Sequence, residues 1–150
     1  MSKNTLQKTT IRLAVTILAI TSSVCSAKSE WIKLIQTETS VHYFFDKSDN
    51  KPHDGILYNR IFSLYRYPNT LITRDKKEIT YQSKYETVMI DCNKQLMVAP
   101  DTEYYADTQA KKGTEIYFNS MLPDKLEWRP IESDPAFNAL YKRVNNACNE

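Results

Sequence analysis

The sequence predicts an α+β domain: an antiparallel sheet of about six strands in meander order, one C-terminal helix on a face of the sheet, and a disulfide tying helix to sheet. Three observations carry this expectation. Short β-branched and aromatic runs recur between turn signals, as strands do. The final segment alone sustains a helical stripe. Cys92 and Cys148 each lie on the apolar side of one of these elements.

The N-terminus reads as a leader rather than as part of the fold. Lys3, Lys8 and Arg12 make a positive region without acids, residues 13–20 (LAVTILAI) form a short apolar core, and Cys25-Ser26-Ala27 offers small residues to a signal peptidase. The apolar run is too short to span a bilayer. Cleavage after Ala27 is expected, giving residues 1–27 as signal peptide and 28–150 as a single domain. Cys25 raises a lipoprotein alternative, but Val24 is bulky where a lipoprotein peptidase needs a small residue, so no lipid anchor is expected. Removing three cations leaves 17 basic against 18 acidic residues. That balance offers no general footprint for nucleic acid. No later run is long and apolar enough for a transmembrane helix.

The strands follow in order. Residues 31–35 (WIKLI) and 41–46 (VHYFFD) are the first two, with a polar turn over 47–55. Residues 56–67 read as a long third strand closed by Pro68-Asn69, although Ile61, Leu64 and Tyr65 would also suit a helix. Residues 79–92 are the fourth, with Val88, Ile90 and Cys92 on one face and Thr87, Met89 and Asp91 on the other. Residues 95–99 with Tyr104 and Tyr105 give a fifth around Pro100, and residues 114–121 a sixth. The helix opens with Ser133 or Asp134 as N-cap and Pro135 in the first turn. Phe137, Leu140, Tyr141, Val144 and Cys148 then fall on one stripe.

With Cys25 removed, an even pair of cysteines in an exported chain favours a disulfide. Both point the way their apolar neighbours point, so a Cys92–Cys148 bridge would pin the helix to the sheet. The chain-entropy estimate for such a loop is about 4 kcal/mol. A cysteine nucleophile would need a base, and only His42 and His53 are on offer. Zinc would normally need four ligands.

Two glycines in the whole chain leave no phosphate-cradling loop, dinucleotide fingerprint or nucleophile elbow. Asp46, Asp49, Asn50, His53 and Asp54 cluster in one stretch, but an EF-hand counted from Asp46 would need a glutamate where Leu57 stands. That stretch reads as a hydrophilic turn. Neither an enzyme, a metal nor a cofactor is expected. A binding surface is expected instead at Tyr65, Arg66, Tyr67, Arg74, Lys76 and Lys77, with Lys111 and Lys112 in another turn. Arg and Tyr are residues that interfaces favour. The plainer alternative is that these are solvated loops.

The order of motifs resembles the surface-adhesin protein E family of Gram-negative bacteria. W-I-K-L-I opens the domain, H-Y-F-F-D (42–46) follows, and Y-Q-S-K-Y-E-T-V-M-I-D-C (81–92) ends on the first cysteine. W-R-P-I (128–131), a Ser-Asp-Pro helix start and a terminal A-C (147–148) complete the series. The resemblance implies an antiparallel sheet with a C-terminal helix and a bridge between the two cysteines. It also implies a non-catalytic virulence-associated adhesin, exported to the periplasm, cell surface or medium, that binds host extracellular-matrix or serum proteins. The alternative is a periplasmic accessory or ligand-binding protein of the envelope.

Overall fold

A computed structural model describes residues 30–46 and 51–149. The expected leader, its cleavage after Ala27, Cys25, and Asp49 and Asn50 of the polar turn lie outside the described residues. Six strands run as an antiparallel meander: β1 (Glu30–Gln36), β2 (Ser40–Asp46), β3 (Ile56–Ile72), β4 (Glu78–Asp91), β5 (Leu96–Tyr105) and β6 (Tyr117–Ser120). A two-residue β7 (Arg129–Pro130) pairs with the start of β5, and helix α1 (Pro135–Cys148) closes the chain.

Residues 56–67 are strand, not helix. Leu57, Asn59, Ile61 and Ser63 are buried while Tyr58 and Arg60 are exposed. That period of two suits a pleated strand and no helical face. The expected stop at Pro68-Asn69 is corrected: β3 continues to Ile72. Pro68 cannot donate to a ladder, and the strand accommodates it in a bulge. Leu64 pairs with Ser83 and Asn69 next pairs with Tyr81, so four residues of β3 face one of β4. Pro100 is handled likewise: Ala99 and Pro100 fall at the register shift between the Thr87–Asp101 and Met89–Val98 pairs, so β5 stays one strand. The sixth strand is shorter than the predicted 114–121.

Helix α1 is capped by Asp134, whose carboxylate accepts from the Ala136 and Phe137 amides at 2.7 and 3.2 Å, with Pro135 at the first position. Such a cap contributes on the order of 1 kcal/mol. Leu140 is fully buried among Phe44, Leu57, Ile61, Val88, Ile90, Met97 and Ile131, and Phe137, Tyr141, Val144 and Cys148 pack against that cluster. The predicted stripe is the buried one. Cys92 follows β4 directly, its amide bonded to the Gly55 carbonyl, and is disulfide-bonded to Cys148 with Cα atoms 5.4 Å apart. The bridge joins the last turn of the helix to the sheet, as expected.

The opposite face of the sheet is covered by rings instead of a helix. Trp31, Phe45, Phe62 and Tyr85 interlock there, with Phe62 and Tyr85 stacked at 4.4 Å between centroids.

Candidate functional site

Strands β3 and β4 outrun their neighbours. Pairing of β2 with β3 stops at Tyr65, and β5 reaches along β4 only to Ser83. Beyond these points Asn69–Ile72 pairs solely with Glu78–Tyr81, making a two-stranded arm that projects past the sheet. The bulge at Tyr65–Pro68 is its root. There the Arg66 amide donates to the Thr39 carbonyl at 2.8 Å, fixing the root to the β1–β2 turn.

The tip of the arm is built by Thr73. Its amide donates to the Lys77 carbonyl at 2.8 Å, its hydroxyl receives the Lys77 amide at 3.0 Å, and Lys76 adopts the left-handed region at φ 62°. The Thr73 hydroxyl also donates to the Asp75 carboxylate, which together with Lys77 holds the Asp75 pKa below its ordinary value. Lys77 pairs with Asp75 at 3.0 Å, whereas Arg74 and Lys76 make no ion pair among the described residues. Near the root the Arg66 guanidinium lies 5.4 Å over the ring of Tyr67, which is 61% exposed. Arg66, Tyr67, Arg74, Lys76 and Lys77 are thus all solvent-facing on one projection, with Ile72 also exposed.

Tyr65 belongs elsewhere. Its side chain faces into the sheet, edge-on to His42 and Tyr81, and burial pushes its phenol up to about 12 with Lys84 pulling the other way. It supports the root of the arm rather than its surface. Lys111 and Lys112 are exposed in the β5–β6 loop, remote in sequence from the arm.

A polar row crosses the helix-side face just beyond the core: His42, Ser63, Lys84 and Tyr104 pair in register on β2, β3, β4 and β5. Lys84 Nζ lies 2.7 Å from Glu86 Oε1, and the two side chains are 19% and 12% exposed. Burial alone would depress the Lys84 ammonium, but Glu86, helped by Tyr65, outweighs it and the pKa rises. This pair borders a cavity of about 370 Å³ lined also by Tyr104, Arg129 and Asp134. Sequence reasoning missed Lys84 and Glu86; their signal was two charges placed on the same strand face as Val88 and Ile90.

His42 has both ring nitrogens engaged, Nε2 with Ser40 Oγ and Nδ1 with Ser63 Oγ, each at 2.8 Å. Ser63 is fully buried and Ser40 nearly so, and both hydroxyls are engaged by the imidazole. Burial lowers the His42 pKa, opposed by Asp134 and reinforced by Lys84. A histidine depressed in the folded state stabilises the fold above its ordinary pKa of 6.5, and that contribution is lost as pH falls. Stability should therefore fall as pH drops below 6.5, by at most about 1.4 kcal/mol per pH unit. His42→Gln should flatten this slope in urea titrations; an unchanged slope would assign it to other groups. His53 is exposed beside Asp54. Among the described residues no group of three or more His, Cys, Asp or Glu could hold a metal ion.

Neither the curated proteins nor the solved structures yield a match to the chain. The family described as Surface-adhesin protein E does, over residues 31–149. That span runs from Trp31 of β1 past the bridged Cys148 and takes in the arm, the polar row and the helix. The chain belongs to the Surface-adhesin protein E family.

Proposed function

We propose that this protein is an exported, non-catalytic adhesin whose β3–β4 arm contacts a host extracellular-matrix or serum protein. The observation that carries this reading is the arm itself: Arg66, Tyr67, Arg74 and Lys76 stand exposed on a two-stranded projection that the sheet does not cover. Arg and Tyr supply contact area and bidentate donors at interfaces. Of the arm's cations, only Lys77 is neutralised by a neighbour among the described residues. Family membership supports the class of function. Among the described residues no helix is long and apolar enough to cross a membrane.

The test has two parts. Protease accessibility on intact cells should place the domain at the outer surface. Signal confined to the periplasm would instead favour an envelope accessory protein. Binding to a panel of immobilised matrix and serum proteins should then weaken with salt, since exposed charges are screened within about 10 Å at 0.1 M. The triple variant Arg74→Ala, Lys76→Ala, Lys77→Ala should lose roughly ten-fold or more in affinity, at about 0.5–1 kcal/mol per exposed cation. Unchanged binding by this variant would remove the arm from the contact.

A further inference from the structure

The ring-covered face of the sheet holds a cavity of about 570 Å³, within the range of small-ligand sites. Trp31 of β1, Phe45 of β2, Tyr85 of β4 and Tyr105 of β5 supply its aromatic lining, and Arg60, Glu103 and Lys112 its charges. The rings hold one another in place. Trp31 is 5.2 Å from Phe45 and 5.4 Å from Tyr85, and Tyr105 stands at 90° to Tyr85 at 5.7 Å. The Arg60 guanidinium lies 5.3 Å over the Tyr85 ring, a cation–π arrangement that fixes its position.

The polar valences are unequally used. Glu103 has both oxygens engaged: Oε2 accepts the Tyr105 hydroxyl at 2.7 Å, and Oε1 faces Arg60 Nη2 at 3.5 Å. Arg60 carries five N–H donors, and that single long contact is its only ion pair among the described residues. Its side chain is 44% exposed. Lys112 is exposed on the loop beside it and has no ion pair among the described residues. Two cations therefore line the cavity against one acid, whose Oε2 already accepts the Tyr105 hydroxyl. A purely apolar occupant would have to desolvate Arg60 without compensation, which is costly. An occupant with flat C–H faces and a carboxylate satisfies both halves of the lining: the faces lie on the rings, and the carboxylate accepts charge-assisted hydrogen bonds from Arg60 and Lys112.

We infer that this face is a binding site for an acidic saccharide, seated on Trp31 with its carboxylate toward Arg60 and Lys112. The site lies on the opposite side of the sheet from α1 and does not use the cations of the arm.

The experiment titrates the purified protein with 3′-sialyllactose and with lactose, following tryptophan emission. Trp128→Phe leaves Trp31, inside the cavity, as the sole tryptophan. Sialyllactose should shift the emission saturably, and lactose should bind at least about ten-fold more weakly, because a charged hydrogen bond is worth about 1.5–3 kcal/mol. Lys112→Glu, in an exposed loop where folding is not at stake, should weaken sialyllactose by a similar factor. Arg60→Gln should do the same, with circular dichroism confirming the fold. The triple arm variant should bind sialyllactose as the parent does. Equal affinity for lactose, indifference to Lys112→Glu, or an equal loss in the arm variant would each overturn the inference. So would a lack of sialyllactose binding at millimolar concentration, including the case where a second copy of the chain covers the face and sedimentation shows a dimer. Loss of matrix binding by the arm variant, with sialyllactose binding intact, would leave the two sites independently established.

Discussion

Replacing both Cys92 and Cys148 with serine should lower stability by about 4 kcal/mol, the chain-entropy value for a closed loop of this length. The bridge spans 56 residues of sequence, so its removal releases a long segment of the unfolded chain, from the end of β4 to the end of α1. The folded state also has a particular weakness that the bridge covers. An isolated helix of fourteen residues is marginal in water, and α1 is held by one buried stripe centred on Leu140. Urea titration of parent and double variant, with matched circular dichroism before denaturation, measures the effect. The parent in excess reductant should coincide with the variant. A difference below about 1 kcal/mol would mean that the stripe alone secures the helix and that the unfolded chain is already compact enough to lose little entropy to the bridge.

Glu86→Gln should cost about 3 kcal/mol, because it leaves the Lys84 ammonium buried without its countercharge. The lower end of the usual range applies, since both side chains keep some exposure. The pair itself is not expected to be a large net stabiliser: desolvation of two charges offsets most of their attraction. Replacing both, as Lys84→Met with Glu86→Leu, should therefore cost less than Glu86→Gln alone. A double variant worse than the single would show that Lys84 is retained for its other contact, with Tyr65, or for the cavity it borders. The alkaline limb gives a second readout. The Lys84 pKa is raised in the folded state, so its contribution is fully present below 10.5 and declines as pH rises beyond that value. Glu86→Gln should remove that decline.

What the sequence disclosed follows from periodicity. The helix was legible because apolar residues recurred at helical spacing from Phe137 to Cys148 behind a Ser133-Asp134-Pro135 start, and the structure assigns the cap to Asp134. The face of β4 was legible because Val88, Ile90 and Cys92 share one side by period two, with Thr87, Met89 and Asp91 on the other. The bridge followed from these two faces meeting. Pro68 misled, because a proline ends most strands, and whether a bulge absorbs it depends on the partner strand. Tyr65 differs from its neighbours: next to Arg66 and Tyr67 it reads as surface, but its side chain is half-buried, edge-on to His42 and Tyr81. The Lys84–Glu86 pair and the Arg60–Glu103 contact were hidden for a different reason. One depends on where helix α1 stops covering the sheet, the other on the register between β3, β4 and β5. Neither quantity is written in any single segment.

The bulge at Tyr65–Pro68 separates two regions of unequal cooperativity. Arm residues beyond it share hydrogen bonds with one strand only, while Ile61–Leu64 just before it are flanked by β2 and β4. Opening of the arm therefore does not require the sheet, the helix or the bridge to open, and it forms a local unit of low stability. Substitutions at its tip are consequently buffered from the global fold. The chain can change its arm, residue by residue, without drawing down the stability margin that the rest of the domain maintains.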